Sequence, residues 1–438
     1  MNRVVITGIG VISPLGVGTQ PFWDGLLAGK SGLATIRQFD PAGFPCQIAG
    51  EVPPYKIGDF VPKSYRKATK VMARDIELAV IAADVAFKDA GLQSRAYSET
   101  PDFAGERFGC TIGAGLISAE LNELAAAMNV ARSDATGNGG PNHLDLAKWG
   151  RDGMSQLTPL WLLKYLPNML ACHVTIIHGL CGPSNTITCA DASSHLAIGE
   201  AFRTIQRGKA DLAICGGAES KINPMGIIRQ TLLKRLTESS NDHPAQAVRP
   251  FDAEASGTVA GEGGGLFILE EFERAKKRGA KIYAELVGFA ASQDAYSVTE
   301  PDPSGQSYGK AITNAIRDAK LSPADVDLLV PHGLGIPAFD RSELAGLQAA
   351  LGDHLERVAF APIKSAVGNL AAGCGADAAA AVMSIHSGRV PGSPNTKKVI
   401  DGQVLNVSAA AREVAGDVSV SSVYSLGGQN AALVFRRI

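Results

Sequence analysis

The sequence predicts an α/β layered protein. Short apolar, β-branched runs that stop at glycine or polar residues alternate with longer segments of helical period, as strands and helices do when they follow one another around a sheet. Hydrophobic residues make up 45% of the chain and charged residues 19%, below the ~25% of an average globular domain, so the interior is large and the surface comparatively apolar. In chain order the predicted strands are Arg3–Thr7, Leu212–Cys215, Leu266–Leu269, Ala284–Val287, Val326–Val330, Val418–Ser421 and Ala432–Phe435. A helix is predicted over Met72–Lys88, with Gly91 as its closing residue. A second covers Ile198–Gln206, where Ile198, Ala201, Phe202 and Ile205 fall on one face. The stretches Asp134–Gly140 and Thr237–Pro250 are polar and rich in turn formers, so they read as loops. The second loop divides the chain into halves 1–250 and 251–438.

Composition removes several function classes. The 41 Lys+Arg against 43 Asp+Glu give a net charge of −2, which argues against nucleic-acid binding by bulk charge. No run approaches the ~20 apolar residues of a bilayer span, and a strand-like run begins almost at Met1, so a cytoplasmic protein is expected. The 7 cysteines (46, 110, 172, 181, 189, 215 and 374) are scattered without any C-x-x-C spacing, which speaks against a disulfide framework or a structural metal site. An apolar, weakly charged surface is also what a subunit interface leaves in the composition, so an oligomer is expected. Two glycine clusters invite a nucleotide reading and fail it. Gly8-Ile9-Gly10 is not followed by a helix start, and reads as a tight turn. Gly261–Gly265 lacks the Lys-Ser/Thr of a phosphate loop, and reads as a close backbone approach or a bulge.

Two places are built to present reactive side chains. From Ser184 to His195 a β-branched run reaches small residues and then a helix, a strand-to-helix elbow of the kind that exposes a nucleophile. The run Leu328-Leu329-Val330-Pro331-His332-Gly333 delivers a histidine from the end of a buried strand into a loop.

Together with Val4–Gly10, Ser13–Gly16, Ala210–Glu219, Arg249-Pro250-Phe251-Asp252, Glu270–Ala275 and Gly427-Gly428-Gln429-Asn430, these segments resemble the β-ketoacyl-[acyl-carrier-protein] synthase family of thiolase-like condensing enzymes over nearly the whole chain. The resemblance implies two pseudo-duplicated halves stacked as five layers, α-β-α-β-α, in a dimer whose central sheets run together. It implies no bound cofactor and no metal, with substrates carried on the phosphopantetheine of an acyl carrier protein. The family uses a Cys nucleophile at the elbow, two His that activate malonyl thioester and hold the oxyanion, and a Lys that organises them.

Carried over residue by residue, that machinery is incomplete. Asp191 stands where the family has Cys. His332 retains the first His and Lys364-Ser365 the Lys motif, but Asn369 replaces the second His. The threonines that meet the phosphopantetheine arm are Leu334 and Ile336 here, and the gating Phe is Leu426, before Gly427 and Gly428. Pro337, Asp340 and Glu343 keep the scaffold around His332. An Asp at a helix start is expected to act as an N-cap ahead of any catalytic role. Its charge would oppose a malonyl carboxylate, since two like charges at 4 Å repel by ~1–4 kcal/mol. Loss of the thiol and of one His is expected to cost ~10²-fold or more in rate each.

The sequence therefore favours a non-condensing subunit, resembling the chain-length factor that pairs with an active ketosynthase, in a heterodimer or else a homodimer. A second reading keeps an active synthase, acyltransferase or malonyl decarboxylase with Cys189 as a displaced nucleophile. A third is an acyl-carrier-protein binding module without chemistry, contacted through Lys63, Arg66, Lys67 and Lys70.

Overall fold

The computed structural model describes residues 1–133 and 143–438, and the loop predicted at Asp134–Gly140 lies outside them. Ten strands build the part of the fold that positions the site. The first five are β1 Val4–Ser13, β2 Phe108–Ala114, β3 Ser184–Ile187, β4 Leu212–Ser220 and β5 Glu262–Glu271. They lie in the order β1-β5-β4-β2-β3, antiparallel at the first two junctions and parallel at the last two. The next five are β6 Ala284–Gln293, β7 Leu328–Val330, β8 Ala359–Phe360, β9 Val418–Tyr424 and β10 Gln429–Arg436. Their order, β6-β10-β9-β7-β8, repeats the first in sequence and in direction. Val4–Ile6 of β1 pairs with Ala284–Leu286 of β6 and joins the two sets. The sets meet between Glu271 and Ala284, whereas the polar stretch near 250, where the sequence put the division, precedes the last strand of the first set.

Six helices cover and separate the strands: α1 Arg74–Asp89, α2 Met169–His178, α3 Ser193–Gln206, α4 Gln306–Asp318, α5 Pro337–Leu351 and α6 Gly375–Ser387. Helices α1 and α2 lie against the first set, α4 against the second with α5 packed on it, and α3 and α6 contact both. The result is an α-β-α-β-α stack. Its central core joins Val4, Ile6, Ile198, Phe202, Ala379 and Leu433, and two outer cores lie under α1/α2 and under α4/α5.

The glycine clusters owe their composition to this stacking. Gly8-Ile9-Gly10 is not a turn but part of β1, which runs on to Ser13; a Cβ at Gly10 would strike the Ala82 carbonyl of α1. Gly265 likewise lets the start of α6 touch β5, the close approach expected of that segment.

Candidate functional site

The elbow forms where β3 ends. A single turn, Ala190–Ala192, links it to α3, and Ala190 takes φ +46°, a left-handed conformation rare outside glycine. Ser193 fastens this turn: its Oγ accepts the Cys189 N–H at 2.8 Å and donates to the Ala190 carbonyl at 2.7 Å. Opposite, a Cβ on Gly113 of β2 would lie 2.5 Å from the Ser193 backbone, so only glycine admits the start of α3 here.

Asp191 is thereby turned inward and fully buried. The capping role expected for it is not taken up: its side chain caps neither the turn nor α3. Oδ1 instead accepts Asn369 Nδ2 at 2.7 Å, Oδ2 lies 3.7 Å from the Arg235 guanidinium, and Oδ2 has no hydrogen-bond partner among the described residues. Burial alone would raise this carboxyl. The opposing charges of Arg235 and Lys221, with the Asn369 bond, overcome it and hold the group well below the ordinary carboxylate range.

His332 leaves β7 through Pro331, and Gly333 turns the chain with φ +54°. Both backbone N–H groups, His332 at 2.8 Å and Gly333 at 2.9 Å, donate to Glu343 of α5. Tyr308 adds a third donor at 2.6 Å, and burial still pushes the Glu343 carboxyl up to about 7. The His332 ring lies edge-on to Tyr424, 4.7 Å between centroids, and neither ring nitrogen has a partner among the described residues. Burial, reinforced by the Lys364 charge, holds His332 well below its ordinary value, so the ring is neutral and its 3.9 Å approach to Asp191 is not an ion pair.

Lys364 is completely buried and reaches Asp377 of α6 at 2.5 and 2.6 Å, with the Cys374 sulfur at 3.7 Å. Burial works against the ammonium, and Asp377 more than offsets it, so Lys364 stays charged with a raised pKa. A His332 nitrogen, the Cys374 sulfur and an Asp377 oxygen lie within 4.8 Å of one another, a spacing that could hold a metal ion. The Lys364 ammonium already lies against two of the three, so the cation of this cluster is the protein's own.

The structure thus brings Asp191, His332, Lys364 and Asn369 into one buried cluster. Leu426, Gly427 and Gly428 line a narrow cleft of about 30 Å³, with Tyr308, Phe339 and Tyr424 also in its wall. Leu334 and Ile336 are buried in the apolar core beside Phe251 and Phe339 and line neither this cleft nor the next. A second cleft, about 420 Å³, opens beside the elbow between Leu116, Ala190, Glu219 and Gln230. Cys189 is half-buried against the small apolar cluster of Ala192, Cys374, Val423 and Ala431, and burial raises its thiol. The basic residues Lys63, Arg66, Lys67 and Lys70 lie exposed on the short helical segment Lys63–Val71.

Sequence reasoning missed Arg235, Cys374 and Asp377. Asp377 carried a usable signal, since a lone carboxylate in the run Gly-Ala-Asp-Ala-Ala-Ala-Ala is buried and needs a cation. Arg235 carried none, because its direction depends on Lys234, which adopts φ +52°.

The same fold recurs in known proteins. The description "Beta-ketoacyl synthase, N-terminal domain" matches residues 1–275, and "Beta-ketoacyl synthase, C-terminal domain" matches residues 283–397. The chain belongs to the β-ketoacyl synthase family. It is 35% identical to the 3-oxoacyl-[acyl-carrier-protein] synthase 2 of Synechocystis sp., covering 100% of this chain and 98% of that protein. It is 34% identical to the synthase of the same name from Coxiella burnetii, covering 100% and 99%. Among solved structures, the ishigamide ketosynthase/chain length factor superposes with a TM-score of 0.85 at 28% identity, covering 100% of this chain and 99% of that one. A β-ketoacyl synthase from Burkholderia phymatum gives 0.85 at 27%, covering 100% of both. The five-layered, thiolase-like fold of these ketosynthases is the fold described above. Among the described residues no helix is long and apolar enough to cross a membrane.

Proposed function

We propose that this chain is a non-condensing subunit of a cytoplasmic ketosynthase, working like a chain-length factor beside an active partner on acyl groups carried by the phosphopantetheine of an acyl carrier protein. One observation carries the reading: the elbow that offers a thiol in a condensing enzyme offers here a buried carboxylate, bonded to Asn369 and neutralised by Arg235. A carboxylate so engaged is a poor nucleophile, and the mixed anhydride it would form lies uphill of the thioester that would supply its acyl group. The second His, which would complete the oxyanion pair, is the amide that holds Asp191 in place. The likeness to a ketosynthase/chain length factor pair supports the choice of partner. Cys189 does not compete for the role: its backbone N–H is tied to Ser193 and its thiol is held protonated by burial.

The test is condensation of acyl- and malonyl-loaded carrier protein, measured with the chain alone, with an intact ketosynthase alone, and with both co-purified. We expect no 3-oxoacyl product from the chain alone, and a shift in product length when the two form a complex. Product from the chain alone, abolished in Cys189→Ala, would sink the reading.

A further inference from the structure

Arg235 has a place in the site that a neutralising counter-ion alone does not require. Its residue is 3% exposed, and its backbone is clamped on both sides: the N–H donates to the Gln230 carbonyl at 3.1 Å, and the carbonyl accepts the Thr258 N–H at 2.8 Å. The left-handed Lys234 just before it turns the side chain inward. The guanidinium lies 5.8 Å over the ring of Phe339, which lines the cleft at Leu426, and 3.7 Å from Asp191, whose neighbour Ala190 lines the second cleft. Asp191 and Arg235 line neither cleft themselves, but Arg235 touches a wall residue of each, Phe339 of the first and Gln230 of the second. The Asp191–Arg235 pair is also loosely bonded. Arg235 Nε and Asp191 Oδ2 have no hydrogen-bond partners among the described residues, in contrast to the two-pronged fork by which arginine usually grips a carboxylate.

We propose that Arg235 is an internal stopper: its side chain fills the space in which the thioester end of an acyl-pantetheine arm would meet residue 191, and it keeps the two clefts apart. The stopper acts in addition to the loss of the thiol, so restoring the thiol alone leaves the site closed. The inference rests on the non-condensing reading above, yet its test reads acylation of residue 191 and not condensation by the natural chain.

The step read is an acyl transfer. The thiol installed at 191 gives its proton to the neutral His332 ring, which lies 3.9 Å from the carboxylate that the thiol replaces, and attacks the thioester carbonyl. A new C–S bond forms, the bond to the pantetheine sulfur breaks, and that sulfur takes the proton back from His332 and leaves as the thiol of the carrier protein. Asp191→Cys, Asp191→Cys/Arg235→Ala and Asp191→Cys/Arg235→Met are incubated with a saturated short-chain acyl-carrier protein and followed by intact mass, with wild type as the blank. Circular dichroism and the melting transition confirm that each variant is folded. The expected result is acylation of the Arg235→Ala double variant at least ten-fold faster than of Asp191→Cys, with the Arg235→Met variant staying slow because methionine keeps the bulk and removes only the charge. Equal rates for Asp191→Cys and the Arg235→Ala variant would overturn the proposal, as would no acylation of either. A fast Arg235→Met variant would overturn it too, by assigning the effect to charge. Condensation by wild type would instead overturn the proposed function and leave this comparison standing.

Discussion

Lys364→Met should destabilise the protein by an amount set by the proton, and the structure fixes both its size and its pH dependence. In the wild type the Lys364 ammonium and the Asp377 carboxylate are completely buried and 2.5 Å apart. Methionine removes the cation and leaves the carboxylate in an apolar layer, where it lowers its energy by taking up a proton. Protonating a group of ordinary pKa ~3.9 at pH 7 costs 1.36 × (7 − 3.9), about 4 kcal/mol, which is a ceiling for the loss and agrees with the ~3–5 kcal/mol of broken buried pairs. The folded variant then holds a proton that its unfolded chain lacks above about pH 4, so its deficit grows with pH, from about 1.5 kcal/mol at pH 5 to about 4 at pH 7. Asp377→Asn has the opposite sign. Lys364 must lose a proton that the unfolded chain keeps up to pH ~10.4, so its deficit of at most about 4.6 kcal/mol at pH 7 shrinks as pH rises. The assay is urea unfolding of the wild type and both variants between pH 5 and 9. Deficits that do not change with pH, or that stay under about 1 kcal/mol at pH 7 in both variants, would refute the unpaired-charge argument.

Three further outcomes follow from the same geometry. Asn369→Leu keeps the bulk but strips Asp191 Oδ1 of its 2.7 Å donor, and should cost ~1.5–3 kcal/mol in urea unfolding, the range of a bond to a charged group. Asp191 has a folded pKa held below its unfolded value, so its contribution is complete above pH ~4 and is lost as pH falls through the folded value; acid titration of Asp191→Asn, followed by circular dichroism, should show a flatter stability profile below pH 4 than wild type. Gly333→Ala places a Cβ on a φ of +54° and 2.9 Å from the Phe251 ring, and should lower stability by at least ~1–2 kcal/mol, read as a lowered melting temperature.

A periodic apolar face made some elements legible in the sequence, though α4, whose Tyr308, Ala311, Ile312, Ala315 and Ile316 share such a face, was not read from it. Helix α1 differs from its predicted range by only two residues at the start and one at the end, because its apolar residues recur at helical period. Helix α6 went unseen: Gly375 through Ile385 are all buried, since it contacts both strand sets and has no polar face to set a period. Strands β2 and β8 went unpredicted, and several that were found were too short, since β1, β4, β5 and β6 run on through glycine, serine or glutamate residues that look like strand ends until a partner layer covers them. In the site, Asp191, His332, Lys364 and Asn369 were placed by family order and do converge. The role of Asp191 could not be placed so, because a cap and a buried ion pair differ only in which way the turn at Ala190 points the carboxylate.

The charges in this site explain why its scaffold can persist without the thiol. Asp191 and Arg235 form one opposed pair, Lys364 and Asp377 another, and His332 between them is neutral. The buried cluster is formally uncharged, with each carboxylate facing a cation from a different part of the chain. A thiol at 191 would leave Arg235 without its counter-charge, and an alanine at 235 would leave Asp191 with the Asn369 bond and the charge of Lys221 but without its main counter-ion, so each change alone weakens the balance of a buried charge. The two positions are therefore coupled. In a double-mutant cycle of Asp191→Cys and Arg235→Ala, measured by urea unfolding at pH 7, the double variant should be more stable than the sum of the single losses implies, by ~1–3 kcal/mol. Strict additivity would mean that the 3.7 Å contact does not hold the pair together, and would leave the inward turn at Lys234 as the sole reason Arg235 is in the site.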